Sequence, residues 1–275
     1  MVLARADIVT ADNLGVLPPA VVAGLAEPLD RGHPFLSSAM HLDAPESGLG
    51  WRIPLVVVRP TADDQAQTLT AEKDELASTA TLIEPVTFGP TTIGGYGDAS
   101  FQLLKRSDPS YYELFLALLA EAYGETADAE AINALLAGGG VSDGGTFDPG
   151  DFRIADAVIS SQAAARRLPD RLWYSSAAAE ALINAKAPGS NLPIYPEFPG
   201  GTVAGLGPVY VPALDGTEAD VLVGPSSGFR WAEDGAYTLT AVRPAQAGQD
   251  IGLAGIVWLA PTEGGAFTRY ARESS

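Results

Sequence analysis

Residues 107–140 read SDPSYYELFLALLAEAYGETADAEAINALLAGGG, and this stretch decides the fold. Its apolar side chains recur at three- and four-residue spacing, which is typical of a helix with one buried face. Asp108 is suited to cap the N-terminus and Pro109 to occupy the first turn, while the glycines from residue 138 onwards end the helix. The spacing predicts a helix over 108–137, about 40 Å long at ~1.5 Å per residue.

The chain before this helix predicts an irregular arm followed by a long β-hairpin. Residues 1–50 are punctuated by prolines, which allow at most a short helix at 20–25 and favour an arm that lies on a neighbouring subunit. Two β-rich runs then occupy 51–93, WRIPLVVVR and TLIEPVTFGPTTI. Between them lies a polar, acidic tip at 60–80. The prolines inside both runs indicate exposed strands rather than the centre of a sheet.

The chain after the helix predicts an α/β segment and then a return to β-strands. Asp151 is suited to cap a helix that ends near residue 167, and Ser176 to cap a second helix after a short strand at 171–174. Further strands are predicted at 209–212, 220–223, 235–243, 250–260 and 266–272.

Composition excludes several classes of function. The chain has 275 residues, 47% of them hydrophobic, and a formal net charge of −18, so it can bury a core but lacks the clustered cations that hold nucleic acid tightly. Such a chain can still enclose DNA as cargo. It contains no cysteine, which excludes disulfides and thiolate sites. No segment approaches 18 uninterrupted apolar residues, so no membrane-spanning helix is expected.

One catalytic motif is present in outline. Residues 224–228 (GPSSG) fit the pattern G-x-S-x-G, in which Ser226 would be the nucleophile of a serine hydrolase. That elbow needs a following helix and a histidine base, whereas a strand is predicted next and both histidines, His33 and His41, lie far upstream. We therefore expect a turn here and no catalytic residue.

No metal or cofactor site is expected either. His33 and His41 could share a metal with Asp43 or Glu46, but their spacing matches no familiar ligand pattern. Three aspartates in the glycine-rich loop at 138–151 could bind calcium, but the loop lacks the spacing of an EF-hand and its terminal glutamate. They are Asp143, Asp148 and Asp151. No phosphate-binding or dinucleotide-binding loop is present.

The order of these segments resembles the Hong Kong 97-type major capsid proteins of tailed bacteriophages. The resemblance covers most of the chain and is carried by five segments. They are the hairpin tip (72–78), the long helix (107–138), the step from a strand to a helix (169–175, then 177–185), a returning strand (219–224) and a closing strand (265–269). It implies an α+β capsid fold of four parts. These are an N-terminal arm (1–50), an extended hairpin loop (51–93), a peripheral domain (94–144 and 236–275) with a spine helix at 108–137, and an axial α/β domain (145–235).

The resemblance also implies a function and partners. The chain would assemble into hexamers and pentamers of an icosahedral shell around double-stranded DNA, without binding a particular sequence. Its protein partners would be other copies of itself, a scaffold, a portal and decoration proteins. Assembly would take place in the host cytoplasm and the product would be the virion capsid. The alternatives are the shell of an encapsulin-like nanocompartment, the shell of a gene-transfer particle and, from another class, a serine hydrolase using Ser226.

Some members of this family join their subunits covalently, through a loop lysine, an asparagine of another subunit and a buried glutamate base. Here Lys73 lies among Glu72, Asp74 and Glu75, which hold it protonated and therefore poorly nucleophilic. The closing region at 235–275 contains no asparagine, and its strand at 250–260 contains no glutamate.

We therefore predict that the subunits are held together without covalent bonds. Assembled particles boiled in detergent should run as one band near the 28.4 kDa monomer. A ladder of larger species that survives boiling would contradict this prediction.

Overall fold

The computed structural model describes residues 7–8, 33–45, 50–58, 82–106, 110–138, 140–150, 152, 155–243 and 248–271. Several predicted features lie outside these residues. They are the short helix at 20–25, the hairpin tip at 60–80, and the caps Asp108 and Asp151 with Pro109.

The described chain is a mixture of helices and strands, as the sequence predicts. Its helices are α1 (Pro34–Ser38), α2 (Phe101–Arg106), α3 (Ser110–Ala137), α4 (Ala155–Ala165) and α5 (Ser176–Asn184). Its strands are β1 (Asp7–Ile8), β2 (Met40–His41), β3 (Trp51–Val58), β4 (Leu82–Phe88), β5 (Pro90–Ser100), β6 (Ser142–Thr146), β7 (Arg171–Tyr174), β8 (Gly207–Tyr210), β9 (Ala219–Gly224), β10 (Arg230–Arg243), β11 (Gly248–Ala260) and β12 (Thr268–Ala271).

The strands form two five-stranded sheets and a separate hairpin. The first sheet has the order β1-β5-β11-β10-β2 and the second has the order β6-β12-β9-β7-β8. Strands β3 and β4 form the two-stranded hairpin. The second sheet includes β12, which pairs with β6 and β9. The predicted domain limits place β12 in the peripheral domain, whereas β7, β8 and β9 of the same sheet lie in the axial domain. The domain limits themselves remain a prediction.

The predicted spine helix is confirmed as α3, one continuous helix that ends where the glycines begin. Its buried apolar residues recur at three- and four-residue spacing and pack in one core with residues of both sheets: Tyr123, Ala127, Ala131, Ile132 and Leu135. The helix lies against β5 and β11 of the first sheet. The sheet accommodates the helix because residue 255 is glycine. A Cβ atom there would lie 2.5 Å from the hydroxyl of Tyr123.

The predicted hairpin pairs as expected but is shorter than predicted. β3 and β4 are antiparallel from Trp51 opposite Phe88 to Val58 opposite Leu82. The second run then breaks at Gly89, and the chain continues as β5, which pairs with β11 in the first sheet. The hairpin therefore ends at residue 88 rather than 93. The division follows the partner strand, since β4 pairs with β3 whereas β5 pairs with β11.

The second predicted helix cap is displaced by one residue. Ser175, not Ser176, is the N-cap of α5, and its hydroxyl accepts a hydrogen bond from the backbone N–H of Ala178 at 3.1 Å. Ser175 has the extended backbone that a cap requires because it directly follows β7. Ser176 instead donates its backbone N–H to Asp215 at 2.7 Å.

The described part of the predicted arm packs on its own chain. In α1, Phe35 and Leu36 have no exposed surface. The Phe35 ring centre lies 5.3 Å from that of Trp173 in β7 and 5.2 Å from that of Phe229, which directly precedes β10. Residues 33–42, which we call the arm clamp, therefore join the two sheets rather than extend freely.

We predict that Phe35→Ala lowers the free energy of unfolding by about 3–5 kcal/mol, because it leaves a cavity between the two sheets. Chemical denaturation measures this change. Leu192→Ala is the matched control, since Leu192 is 70% exposed and its truncation should change stability by less than about 0.5 kcal/mol. Equal losses in the two variants would show that the arm clamp does not hold the sheets together.

Candidate functional site

The arm clamp is anchored by a buried carboxylate. Asp128, on α3, is 1% exposed. Its two oxygens accept hydrogen bonds from the backbone N–H groups of Phe35 (2.8 Å) and Leu36 (3.0 Å), at the first turn of α1. These N–H groups have no partner within the helix, so the carboxylate satisfies them and fixes α1 against α3. Burial is the largest influence on Asp128 and raises its pKa to about 6, although the two N–H groups and nearby His33 favour the charged form.

Further contacts fix the clamp on the other side. Trp173 donates its indole N–H to the hydroxyl of Ser38 at 2.6 Å. Met40 and His41 form β2, which pairs in parallel with Arg230 and Trp231 of β10. The clamp thus contacts α3 and strands of both sheets within ten residues.

Neighbouring polar groups continue this site. Tyr123 donates its hydroxyl to a carboxylate oxygen of Glu233 at 2.8 Å. The pKa of Tyr123 is raised above its usual value, first by burial and then by this carboxylate. The contact joins α3 to β10 where the pairing of β10 with β11 shifts register.

The structure brings the two histidines together around one tryptophan. The His33 ring centre lies 6.2 Å from that of Trp231, and the His41 ring centre lies 4.6 Å from it. Within the described residues no group of three histidine or acidic side chains is close enough to hold a metal ion. Glu46, which was a candidate ligand together with His33, His41 and Asp43, lies outside those residues.

The loop aspartates take part in local contacts. Asp143 accepts a hydrogen bond from the N–H of Gly145 at 3.0 Å and lies 3.9 Å from the guanidinium of Arg269. Asp148 accepts one from the N–H of Gly150 at 2.7 Å. These are turn contacts of the kind that short acidic side chains make with their own backbone.

The hydrolase motif forms a polar turn. Ser226 begins a short 3₁₀ turn, and the chain then enters strand β10 where a nucleophile elbow would continue as a helix. The Ser226 hydroxyl donates to Asp170 at 2.8 Å, and its backbone N–H donates to the same carboxylate at 2.6 Å. Arg167 donates to the hydroxyl of the next residue, Ser227. The Asp170 carboxylate therefore joins the turn between β9 and β10 to the loop that follows α4.

Exposed apolar surface lies on three other parts of the chain. On the hairpin, Ile83 and Val86 are exposed. Around α5 and β8, large apolar side chains are exposed at Ile183, Leu192 and Tyr210. On the first sheet, Tyr96, Tyr237, Leu239 and Val242 are exposed. Exposed apolar patches are typical of protein–protein interfaces. In the described helices no segment is long and apolar enough to cross a membrane.

Comparison with known proteins identifies the family. The family model described as phage capsid protein matches residues 83–270, which is more than half of the chain. The chain belongs to the phage capsid protein family. No curated protein matches the sequence significantly. The resemblance seen in the sequence is therefore confirmed at the level of the family.

Solved structures confirm the capsid fold. The chain is similar to one from Microbacterium phage Oxtober96, with 15% identity, a TM-score of 0.70, and coverage of 98% of this chain and 100% of that chain. A chain from Mycobacterium phage Bobi has 16% identity, a TM-score of 0.69 and the same coverage. A chain from the capsid of a native GTA particle has 15% identity and a TM-score of 0.63, covering 89% of this chain and 91% of that chain. The protein is thus a structural capsid protein with the α+β fold expected of Hong Kong 97-type shells.

The sequence analysis missed the central residue of this site. Asp128 lies 93 positions from Phe35, and no local pattern links them. A signal was nevertheless present, since Asp128 shares the buried face of α3 with Ile132 and Leu135 at helical spacing. An acidic residue within an apolar stripe has to find a partner from elsewhere in the chain.

We predict a specific pH dependence for Asp128. Because its pKa rises from 3.8 to about 6 on folding, its contribution to stability is fully present below about pH 3.8 and is lost as pH rises through 6. The difference in free energy of unfolding between the protein and the non-titrating variant Asp128→Asn should therefore fall by about 3 kcal/mol from pH 3 to pH 8, at ~1.4 kcal/mol per pKa unit. Denaturation at a series of pH values measures it. A difference that is constant, or that grows with pH, would contradict this assignment.

Proposed function

We propose that this capsid protein assembles into hexamers and pentamers of an icosahedral shell that encloses double-stranded DNA. The observation that carries the proposal is the match to the capsid family, together with a fold shared over nearly the whole length of phage chains. The exposed apolar surfaces supply contacts that one copy cannot make alone.

The four predicted parts have separate roles in this proposal. The axial domain (145–235) meets its copies around the capsomer axis, and its exposed Ile183, Leu192 and Tyr210 suit it to that contact. The extended loop, with its tip at 60–80, lies across a neighbouring subunit. Its exposed hairpin residues Ile83 and Val86 support this role. The peripheral domain provides the contacts between capsomers.

The charge of the chain fits a container for DNA better than a DNA-binding protein. A net charge of −18 repels phosphate, so the lining holds the duplex without trapping it. The proposed partners are therefore other copies of the chain, a scaffold, a portal and decoration proteins, with DNA as enclosed cargo. The shell forms in the host cytoplasm and becomes the capsid of the virion. The protein has no catalytic task in this proposal.

Two related shells are the alternatives. The likeness to the capsid of a GTA particle favours a gene-transfer particle as the second candidate. An encapsulin-like nanocompartment would enclose an enzyme instead of DNA. The content of the particles separates these cases, because a phage shell carries its own genome, a gene-transfer particle carries host DNA and a nanocompartment carries protein.

Light scattering of the expressed full-length chain tests the proposal first. We expect particles far larger than a 28.4 kDa monomer, and particles purified from the native source should protect DNA from nuclease. A chain that stays monomeric in the presence of its scaffold would contradict the proposed function.

We predict that replacing residues 60–80 with a tight turn yields a folded subunit that does not assemble, because the extended loop has lost its reach to the neighbour. Thermal unfolding reports on folding, and electron microscopy reports on particles. The control variant replaces the same residues with an uncharged Gly/Ser segment of equal length, which separates the effect of length from that of charge. Normal shells formed by the shortened variant would show that the loop is not an assembly element.

A further inference from the structure

Among the residues that the structure describes, one edge of strand β10 has no partner strand over most of its length. It pairs with β11 along most of its length, whereas β2 covers its other side only at Arg230 and Trp231. In the part of the chain that the structure describes, residues 234–242 therefore have no strand on that side, and all nine are exposed. A free edge presents a row of backbone donors and acceptors to another chain.

The part of this edge beyond the bulge at Glu233–Ala236 lacks the charges and prolines that usually prevent pairing. Residues 236–242 read AYTLTAV, with no charge and no proline, in a chain of net charge −18. The hairpin is protected in comparison, because Pro54 and Pro85 lie opposite each other in its two strands. Two strongly acidic copies can approach each other most easily through an uncharged segment such as this one.

The sheet face beside the edge is apolar at its centre, and the carboxylates Asp250 and Asp98 lie two residues further along β11 and β5. Leu239, Gly252 and Tyr96 lie opposite one another on β10, β11 and β5, on the face away from α3. Tyr96 is 62% exposed and Leu239 is 57% exposed. Gly252 leaves a depression between these two side chains, because it has no side chain of its own. A Cβ atom at this residue would lie 3.2 Å from Cβ of Tyr96. The result is an open groove of about 560 Å³.

The sequence of the edge is complementary to itself. Antiparallel pairing of two copies centred on Leu239 places Thr238 opposite Thr240, and Tyr237 opposite Ala241. Thr–Thr pairs stabilise neighbouring strands, and a bulky residue opposite a small one packs without a clash. At the ends, the sequence brings Arg243 of one copy to the Asp234 end of the other, so opposite charges meet.

We propose that β10 pairs antiparallel with β10 of a second copy, across a two-fold axis at Leu239. The pairing joins two first sheets into one sheet of twice the width and continues the apolar centre of that face across the axis. This inference rests on the proposed function for the presence of many copies, and it assigns one contact between them. A two-fold contact of this kind is isologous, because both copies contribute the same strand.

Cysteine cross-linking in assembled particles tests the pairing and its register, and the chain has no cysteine of its own to interfere. Leu239→Cys should give disulfide-linked dimers on oxidation, because the residue faces its own copy. Thr238→Cys and Thr240→Cys, each alone, should give few dimers, whereas particles assembled from a mixture of both chains should give dimers readily. If Leu239→Cys does not assemble, the mixed particles provide the same measurement.

A charge on the edge provides the second test. Thr240→Lys should lower particle yield by about ten-fold or more without changing the melting temperature, because a buried charge opposes strand pairing. The control is Thr202→Lys, the same substitution at an exposed loop residue of the predicted axial domain. Particles of normal yield from Thr240→Lys, or particles without dimers from Leu239→Cys and from the mixture, would overturn the pairing and leave the proposed function intact. Failure of the unaltered chain to form any particle would instead contradict the proposed function.

Discussion

The rest of the structure depends on the carboxylate of Asp128 and the two backbone N–H groups that it binds. These hydrogen bonds fix α1 to α3 and so place Phe35 between Trp173 of one sheet and Phe229 beside the other. Burying a charge is costly, and the raised pKa of Asp128 records that cost. Two direct donors and the nearby His33 offset part of it. The chain thereby holds two separate sheets in one arrangement, which a shell subunit has to repeat in every copy.

The two faces of the first sheet have different surroundings. The α3 helix covers one face of the first sheet, and the glycine at 255 lets it pack close to the strands. The opposite face has an open apolar centre at Tyr96 and Leu239, and the hairpin exposes Ile83 and Val86. Monomeric soluble proteins rarely expose large apolar patches, whereas a protein that assembles with copies of itself buries them in its contacts.

The sequence predicted the elements whose signals are local. The α3 helix has its spacing and its glycine end within 34 residues. Strands β7 and β9 are short apolar runs between clear turns, and β11 is a longer one. The end of the hairpin at Phe88 was missed because β4 and β5 form one continuous β-rich run in the sequence. Only their different partner strands, β3 and β11, separate them. The α1 helix and the role of Asp128 were missed because they depend on contacts between residues more than 90 positions apart. The family was recognised from the order of elements, which survives where identity to solved chains is 15%.

A reconstruction of the assembled protein by cryo-electron microscopy tests the central claim most directly. We expect closed icosahedral particles whose hexamers and pentamers are built from this chain, with the arm clamp seated within each subunit as described. Assemblies that are open, or particles in which this chain forms neither hexamers nor pentamers, would contradict the account.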